Sequence, residues 1–190
     1  MTKLRLGLAL CGSYCTYGKL FSVLDLLAEK YELVPIMSET ASDTDTRFGS
    51  SQEHKKKLTE LCGRTPVCTI AEAEPLGPSA PMDVMLIAPC TGNTLAKLAG
   101  GITDSAVLMA AKAHLRNDRP LVIAFSTNDG LSNSLSNIAE LINRKNVYIV
   151  PFGQDDHVKK PHSLASDFSL IDDTVSAALC GKQLQPVLIK

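Results

Sequence analysis

Short apolar runs alternate along the chain with segments in which apolar residues recur at helical spacing. The runs lie at 4–10, 33–37, 84–88, 121–125 and 147–150. They are nearly continuous rather than alternating, which is typical of strands buried on both faces of a sheet. Because strands that alternate with helices connect by right-handed crossovers, the pattern predicts an α/β fold. We expect a doubly wound, Rossmann-like parallel sheet flanked by helices.

Two of the intervening segments carry clear helical periodicity. Apolar residues recur every three or four positions at Leu20, Leu24 and Leu27, and later at Leu131, Leu135, Ile138 and Ile142. A last helix is predicted around 170–179, followed by an extended tail at 184–190. We therefore expect residues 1–190 to form a single domain, with 163–190 as an appendage.

Three polar stretches interrupt this pattern. Residues 71–81 contain three prolines and a glycine and are predicted to form a loop, as are the Ser-, Thr- and Asp-rich residues 38–49. Loops of this length are often functional in compact α/β proteins. Residues 154–161 are interpreted as a polar connection before the last helix.

Composition excludes several classes of function. A formal net charge of −1 gives no electrostatic reason to expect a nucleic acid or an anionic membrane as partner. The basic run Lys55–Lys57 is interpreted as a solvated helix face. The run at 4–10 superficially resembles a signal peptide, but a Gly-Ser turn follows it instead of a cleavage site. We expect a cytoplasmic protein whose six cysteines, without CxxC spacing, are reduced thiols and hold no metal.

The first candidate site residues follow the first predicted strand. Gly12 and Ser13 lie between that strand and the first helix, where free backbone N–H groups and the positive end of the helix meet. Gly12 would allow an anion to approach the backbone, and the Ser13 hydroxyl would add a hydrogen bond. A tight connection without a ligand explains the same residues equally well.

Two later strands end in similar polar segments. Residues 88–104 read APCTGNTLAKLAGGITD, and residues 124–130 read AFSTNDG. Well-capped helices without a ligand are the alternative for the first segment, and a turn with a helix cap is the alternative for the second. Three polar strand ends at one edge of an open α/β sheet favour a ligand site, because ligands bind outside the carboxyl ends of such strands.

These segments together resemble a known family. Gly12-Ser13, the pattern from Pro89 through Asn93 and Lys97 to Asp104, and Asn128 are similar to the flavin-binding motifs of the homo-oligomeric flavoproteins. That family includes the flavin-dependent cysteine decarboxylases. The segments TDTRFG at 44–49 and PFGQDD at 151–156 are closer still to one branch of the family, from spore-forming bacteria.

The resemblance implies a cofactor site for FMN. Gly12, Ser13 and Ser38 would hold its phosphate, while Asn93, Lys97 and Asn128 would line the ring or the substrate. Asn93 and Asn128 are also the candidates for catalysis. The full set of implied cofactor-binding residues is Gly12, Ser13, Ser38, Pro89, Thr91, Gly92, Asn93, Lys97, Ser126, Thr127 and Asn128.

The resemblance to this branch of the family also implies a partner protein and a substrate. Its members work in the mother cell during sporulation with a dehydrogenase subunit that uses NAD or NADP. The pair would oxidise a dihydropyridine dicarboxylate to the aromatic compound. The likeness further implies a homo-oligomer built from trimers. A binding subunit with a vestigial pocket and a flavin-dependent decarboxylase are the two alternatives.

Departures from the family pattern bear on the decarboxylase alternative. The related decarboxylases carry a histidine that they use in their chemistry, and the predicted loop at 70–81 contains none. Arg47 is the candidate for binding a substrate carboxylate, because its guanidinium can donate two parallel hydrogen bonds. An ion pair of Arg47 with Asp43 or Asp45 is the alternative. Lys159 is the second candidate for substrate binding.

Overall fold

Residues 2–189 are described by the structure, a computed structural model. Across them, seven strands form one sheet. The strands are β1 Arg5–Leu10, β2 Glu32–Met37, β3 Val84–Cys90, β4 Leu121–Thr127, β5 Val147–Ile149, β6 Phe152–Asp156 and β7 Lys160–Ser166. The helices are α1 Tyr17–Lys30, α2 Glu39–Asp43, α3 Ser51–Cys62, α4 Ile70–Ala73, α5 Gly92–Ala99, α6 Ala106–Leu115, α7 Asn133–Ile142 and α8 Ile171–Leu179.

The predicted parallel sheet is confirmed for all five apolar runs. Strands β2, β1, β3 and β4 lie side by side in that order, and β5 pairs in parallel with the first half of β4. The order reverses between β1 and β3, because the chain crosses β1 on its way from β2 to β3. Crevices at such a reversal are where open α/β sheets bind ligands.

Helices cover both faces of the sheet, as a doubly wound fold requires. On one face α1, α3 and α8 pack through a core that contains Leu24, Leu58 and Val175. On the other face α5, α6 and α7 pack through a second core that contains Leu95 and Leu141. Burial of these apolar side chains is the main favourable contribution to folding.

The prediction of a polar connection at 154–161 is wrong. Strands β6 and β7 form an antiparallel hairpin there, and β7 pairs with the end of β4 at Ser126 and Thr127. All residues of β6 after Phe152 and the first three residues of β7 are exposed or only partly buried. The hairpin therefore lacks the continuous apolar run by which the parallel strands are recognised. Pairing with β4 and burial of a few side chains, among them Phe152 and Leu164, hold it in place.

Two further predictions need correction. Helix α7 buries Ser134, Ile138 and Leu141. Of the four apolar residues that predicted this helix only Ile138 is buried, and Leu135 is 46% exposed, so their spacing indicates the helix but not its buried face. The predicted loops at 38–49 and 71–81 each contain a short helix. Ser38 caps α2 by accepting a hydrogen bond from the Ala41 N–H, and this N-cap supports a helix of only five residues.

A buried histidine gives the fold a predictable dependence on pH. His114 in α6 is 1% exposed, and burial lowers its pKa to about 4 while its Nε2 contacts the Pro120 carbonyl at 2.8 Å. The unfolded chain binds a proton at this residue below about pH 6.5. Its contribution to stability is therefore complete above that pH and is lost as the pH falls toward 4.

We expect the free energy of unfolding to fall by about 3 kcal/mol from this residue as the pH drops from 6.5 to below 4. Denaturant titrations at several pH values would measure the loss. The variant His114→Gln should show a shallower pH dependence, whereas the exposed-site control His157→Gln should keep the wild-type slope. Equal slopes for wild type and His114→Gln would contradict this assignment.

Candidate functional site

A cleft of about 290 Å³ opens at the carboxyl ends of β1, β2 and β3. We call it the strand-end cleft. It coincides with the reversal of strand order between β1 and β3, where the Cys11 N–H donates to the Pro89 carbonyl at 3.2 Å. Five of the residues predicted from the sequence line it: Gly12, Ser38, Thr91, Asn93 and Lys97.

The turn after β1 leaves room and a donor for a ligand. Among residues 2–189, no acceptor is present for the Gly12 N–H. A Cβ atom at Gly12 would stand 3.2 Å from the Thr40 Cγ2 and 3.5 Å from the Tyr14 ring. The absence of a side chain therefore keeps open the space between this turn and α2, and a ligand oxygen can reach the backbone N–H there.

The first turns of α5 and α6 border the same cleft. Thr91 caps α5 by accepting from the Thr94 N–H, and Ser105 caps α6 by accepting from the Leu108 N–H. The Gly92 and Asn93 N–H groups at the start of α5 find no acceptor within the described part of the chain. Neutral backbone donors and the positive helix end together favour an anionic group at this position.

Charged side chains in the cleft nearly cancel. Lys97 forms an ion pair with Asp104 at 2.6 Å, and Glu39 adds a second carboxylate to the lining. A phosphate in this cleft must therefore be held mainly by backbone N–H groups and hydroxyls. The backbone geometry suits a phosphate, whereas the side-chain charges do not strengthen its binding.

The thiols near the cleft are poor nucleophiles. Burial raises the pKa of Cys11 to about 11, although its Sγ accepts a hydrogen bond from the Thr94 hydroxyl at 3.4 Å. Burial also raises the pKa of Cys90 well above its ordinary value. Since the thiolate is the reactive form, neither residue supplies nucleophilic chemistry near neutral pH.

Other predicted residues lie around a second cavity. This cavity of about 220 Å³ is lined by Ser126 and Asn128 on the β4 side and by Ser163 on β7. The hairpin closes the carboxyl end of β4, so Asn128 does not line the strand-end cleft. Ser13 lies between the two cavities, and its hydroxyl donates to the Ser126 carbonyl at 3.5 Å.

Neither residue predicted to bind a substrate carboxylate lines the strand-end cleft. Arg47 lies on an exposed turn with its guanidinium 4.8 Å from the centre of the Phe48 ring. The alternative partner Asp45 caps the Ser51 N–H, and Asp43 pairs with Lys55. Lys159 is exposed in the turn of the β6–β7 hairpin.

His54 packs against the aromatic side chains that follow the cleft turn. It is 7% exposed, and its ring packs edge-on against Tyr17 at 4.7 Å and lies 6.3 Å from the Tyr14 ring. Its Nδ1 has no hydrogen-bond partner within residues 2–189. Burial lowers the His54 pKa, so the neutral imidazole is favoured.

A carboxylate connects the end of β4 to the first turn of α7. Asp129 accepts hydrogen bonds from the Thr127 hydroxyl and, at 2.8 Å, from the Ser134 hydroxyl. These two bonds lower the Asp129 pKa. Gly92 packs directly on this cluster, because a Cβ there would stand 2.6 Å from the Thr127 Oγ1 and 3.1 Å from the Asp129 Oδ1.

Replacing Asp129 by asparagine should lower the free energy of unfolding by about 1–2 kcal/mol at neutral pH, since bonds to a charged acceptor are lost. The pKa of Asp129 is lower in the folded chain, so its contribution is present above about pH 4 and disappears below it. Denaturant unfolding at pH 7 and pH 3 would measure this. The exposed Asp25→Asn variant is the control, and a pH-independent deficit for Asp129→Asn would contradict the assignment.

Several residues of the cleft were not predicted as site residues. Glu39 and Thr40 border it because α2 begins directly after β2. Asp129 holds the start of α7 and packs against Gly92 without lining the cleft. The Ser38-Glu39-Thr40-Ala41 segment is a usable signal, since a serine before a short polar stretch is a typical N-cap.

The fold and the cleft define the class of protein. Residues 1–174 match the family described as Flavoprotein, and the chain belongs to this family. The family resemblance predicted from the motifs is confirmed.

Two relatives match nearly the whole chain. The B subunit of dipicolinate synthase from Bacillus subtilis (strain 168) is 46% identical over 187 residues, which cover 98% of this chain and 94% of that protein. The crystal structure of the dipicolinate synthase B subunit from Bacillus halodurans is 42% identical, with a TM-score of 0.90, and covers 100% of this chain and 99% of that one.

A more distant structure extends the comparison. A dodecameric FMN-dependent UbiX-like decarboxylase from Escherichia coli O157:H7 is 25% identical, with a TM-score of 0.62. The match covers 78% of this chain and 80% of that one. In residues 2–189, no helix combines the length and the apolar character that crossing a membrane demands.

Proposed function

We propose that this chain is the B subunit of a dipicolinate synthase and acts with a nicotinamide-dependent A subunit. The pair would form dipicolinic acid from a dihydrodipicolinate-level precursor in the mother cell during sporulation. The observation that carries this proposal is the 46% identity over 98% of the chain to a protein of that name. The 42% identity to a second such protein over the whole chain supports it.

The strand-end cleft supports a flavin cofactor for this role. Gly12, Ser38 and the first turn of α5 would hold the phosphate of FMN through backbone N–H groups and hydroxyls. Asn93 would lie beside the rest of the cofactor. When bound, a flavin supplies a hydride acceptor, and the chain's own residues bind and orient it and exclude water.

The small volume of the strand-end cleft supports the assembly of several copies of this chain. Its volume of about 290 Å³ is near the lower limit for a pocket that encloses a drug-sized ligand, roughly 300–1,000 Å³. We propose that the chain forms a homo-oligomer built from trimers, in which a neighbouring copy completes the cofactor site. The dodecameric state of the FMN-dependent relative agrees with this arrangement.

The reaction requires removal of a hydride and a proton from the dihydropyridine ring. The nicotinamide of the A subunit or the flavin would accept the hydride, and water would take the proton. The test is to purify both subunits and measure dipicolinate formation by each one separately and by the pair. The proposal predicts product from the pair at a rate well above that of either one in isolation, and an A subunit that is equally fast without this chain would overturn it.

A non-catalytic binding subunit with a vestigial pocket is the second candidate. The Lys97–Asp104 ion pair and Glu39 favour it, because they leave the cleft without net positive charge for a phosphate. This candidate predicts that Asn93→Ala and Asn128→Ala leave the activity of the pair unchanged. The flavin-containing candidate predicts that at least one of them lowers it, with Asn137→Ala, a residue that lines neither cavity, as the matched control.

A further inference from the structure

A third cavity lies beside the strand-end cleft, between the end of α5, helix α6 and residues 144–146, which follow α7. It has a volume of about 430 Å³, within the range of roughly 300–1,000 Å³ that is typical of small-molecule sites. We call it the basic cavity. Its apolar lining comes from Leu98 at the end of α5, Ile102 in the following loop, and Leu108 and Leu115 on α6.

The charged residues around the basic cavity are mostly cationic. Lys112, Arg116, Arg144 and Lys145 border it, against one carboxylate, Asp118. An apolar surface enclosed by excess positive charge suits a ligand with a hydrophobic ring and negatively charged groups. The strand-end cleft has the opposite balance of charge, because two carboxylates and one lysine line it.

Two of the four cations already have partners. Arg144 donates to the Leu98 and Ala99 carbonyls, each at 3.0 Å, and Lys145 pairs with Asp118 at 2.7 Å. Their charges still act on the cavity, but their side chains are held by these contacts.

The remaining two cations are available to a ligand. Lys112 and Arg116 take part in no ion pair within residues 2–189. Lys112 lies in the last turn of α6 and Arg116, four positions later, is the C-cap residue with helical backbone angles, so both lie on the same side of the helix. Leu108 precedes Lys112 by one more turn, which places an apolar side chain next to the two charges.

The basic cavity adjoins the strand-end cleft. Leu108 lines both, and the segment 101–105 passes between them, with Ile102 and Thr103 on one side and Asp104 and Ser105 on the other. A ligand in the basic cavity would therefore press on the residues that begin α6 and on the partner of Lys97. Occupancy of one site can influence the other through this shared wall.

We propose that the basic cavity binds a planar aromatic or dihydroaromatic dicarboxylate, with its ring on Leu98 and Leu108 and its carboxylates at Lys112 and Arg116. The choice of a pyridine dicarboxylate among such compounds rests on the proposed function. The guanidinium of Arg116 can donate two parallel hydrogen bonds to one carboxylate. Lys112 supplies a compact charge for the second.

Isothermal titration calorimetry on the full chain, without flavin or the dehydrogenase partner, tests this proposal. The probes are pyridine-2,6-dicarboxylate, unsubstituted pyridine and inorganic phosphate in metal-free buffer. The expected result is saturable binding of the dicarboxylate only. The double variant Lys112→Gln/Arg116→Gln should bind it about 100-fold more weakly, at about tenfold for each lost charged contact.

A matched control removes two charges elsewhere. The variant Lys56→Gln/Lys182→Gln changes the net charge equally at exposed positions and should bind like the wild type. Circular dichroism melting curves verify that each variant is folded. Unchanged binding by the Lys112/Arg116 variant, equal binding of phosphate, or loss of binding in Arg47→Gln or Lys97→Gln instead would overturn the proposal.

The binding test is separate from the test of synthase activity. Dicarboxylate binding that depends on Lys112 and Arg116, together with an inactive pair of subunits, would support the cavity and overturn the proposed function. An active pair in which this chain binds no dicarboxylate in the basic cavity would overturn this inference alone.

Discussion

Replacing Phe125 by alanine is expected to lower the free energy of unfolding by about 3–5 kcal/mol. Phe125 is the largest fully buried side chain, and its ring lies 4.8 Å from that of Phe152 on the hairpin. The Phe125 N–H also donates to the Ser166 hydroxyl at 3.0 Å. The residue therefore links the parallel sheet to the antiparallel hairpin, and its loss would leave a cavity at that junction.

Denaturant unfolding of wild type and variant would measure the effect. The variant Phe125→Leu preserves most of the apolar volume and should cost less than about 2 kcal/mol. If Phe125→Ala costs no more than Phe125→Leu, the hairpin does not depend on this contact. Limited proteolysis in the hairpin turn near Val158, which is 77% exposed, would show whether the hairpin separates first.

Replacing Gly12 by valine is expected to weaken FMN binding by at least about 100-fold, which corresponds to about 3 kcal/mol. The Cβ would already stand 3.2 Å from the Thr40 Cγ2, so the valine methyl groups would fill part of the space between this turn and α2. A phosphate would then lose its closest approach to the backbone. Titration of the isolated chain with FMN, followed by flavin fluorescence, measures the affinity.

Gly18→Val is the matched control for this substitution. Gly18 is exposed on α1 with nothing within 4 Å of a built Cβ, so the change should alter stability by less than about 1 kcal/mol and leave FMN binding intact. Equal affinities for Gly12→Val and wild type would show that the phosphate binds elsewhere. A parallel loss in both variants would indicate a general effect of the substitution on the fold.

The parallel part of the fold could be predicted because its signal is local. Strands buried on both faces need continuous apolar residues, and β3 buries all seven of its residues. The hairpin could not be predicted in this way, because Gln154 and Lys160 are exposed and β7 is held by pairing with a strand far away in sequence. Pairing between segments that are far apart in the sequence leaves little recognisable pattern of apolar and polar residues in either segment alone.

The same difference explains how much of the candidate site was predictable. Gly12, Ser38 and Asn93 follow parallel strands directly, and parallel strands end at the same edge, so their proximity follows from the topology. Asn128 also follows a strand, but the unpredicted hairpin encloses it in a different cavity. The ion pair between Lys97 and Asp104 depends on the path of the loop between α5 and α6, which sequence spacing does not determine.

The proposed cofactor site requires an anionic group bound at the carboxyl ends of β1 and β3, held by neutral donors in spite of the nearby carboxylates. A crystal structure of this chain soaked with FMN tests it most directly. We predict phosphate density within hydrogen-bond distance of the Gly12 N–H and the Ser38 hydroxyl, at the first turn of α5. Phosphate density in the Asn128 cavity, or a strand-end cleft that stays empty at saturating FMN, would contradict it.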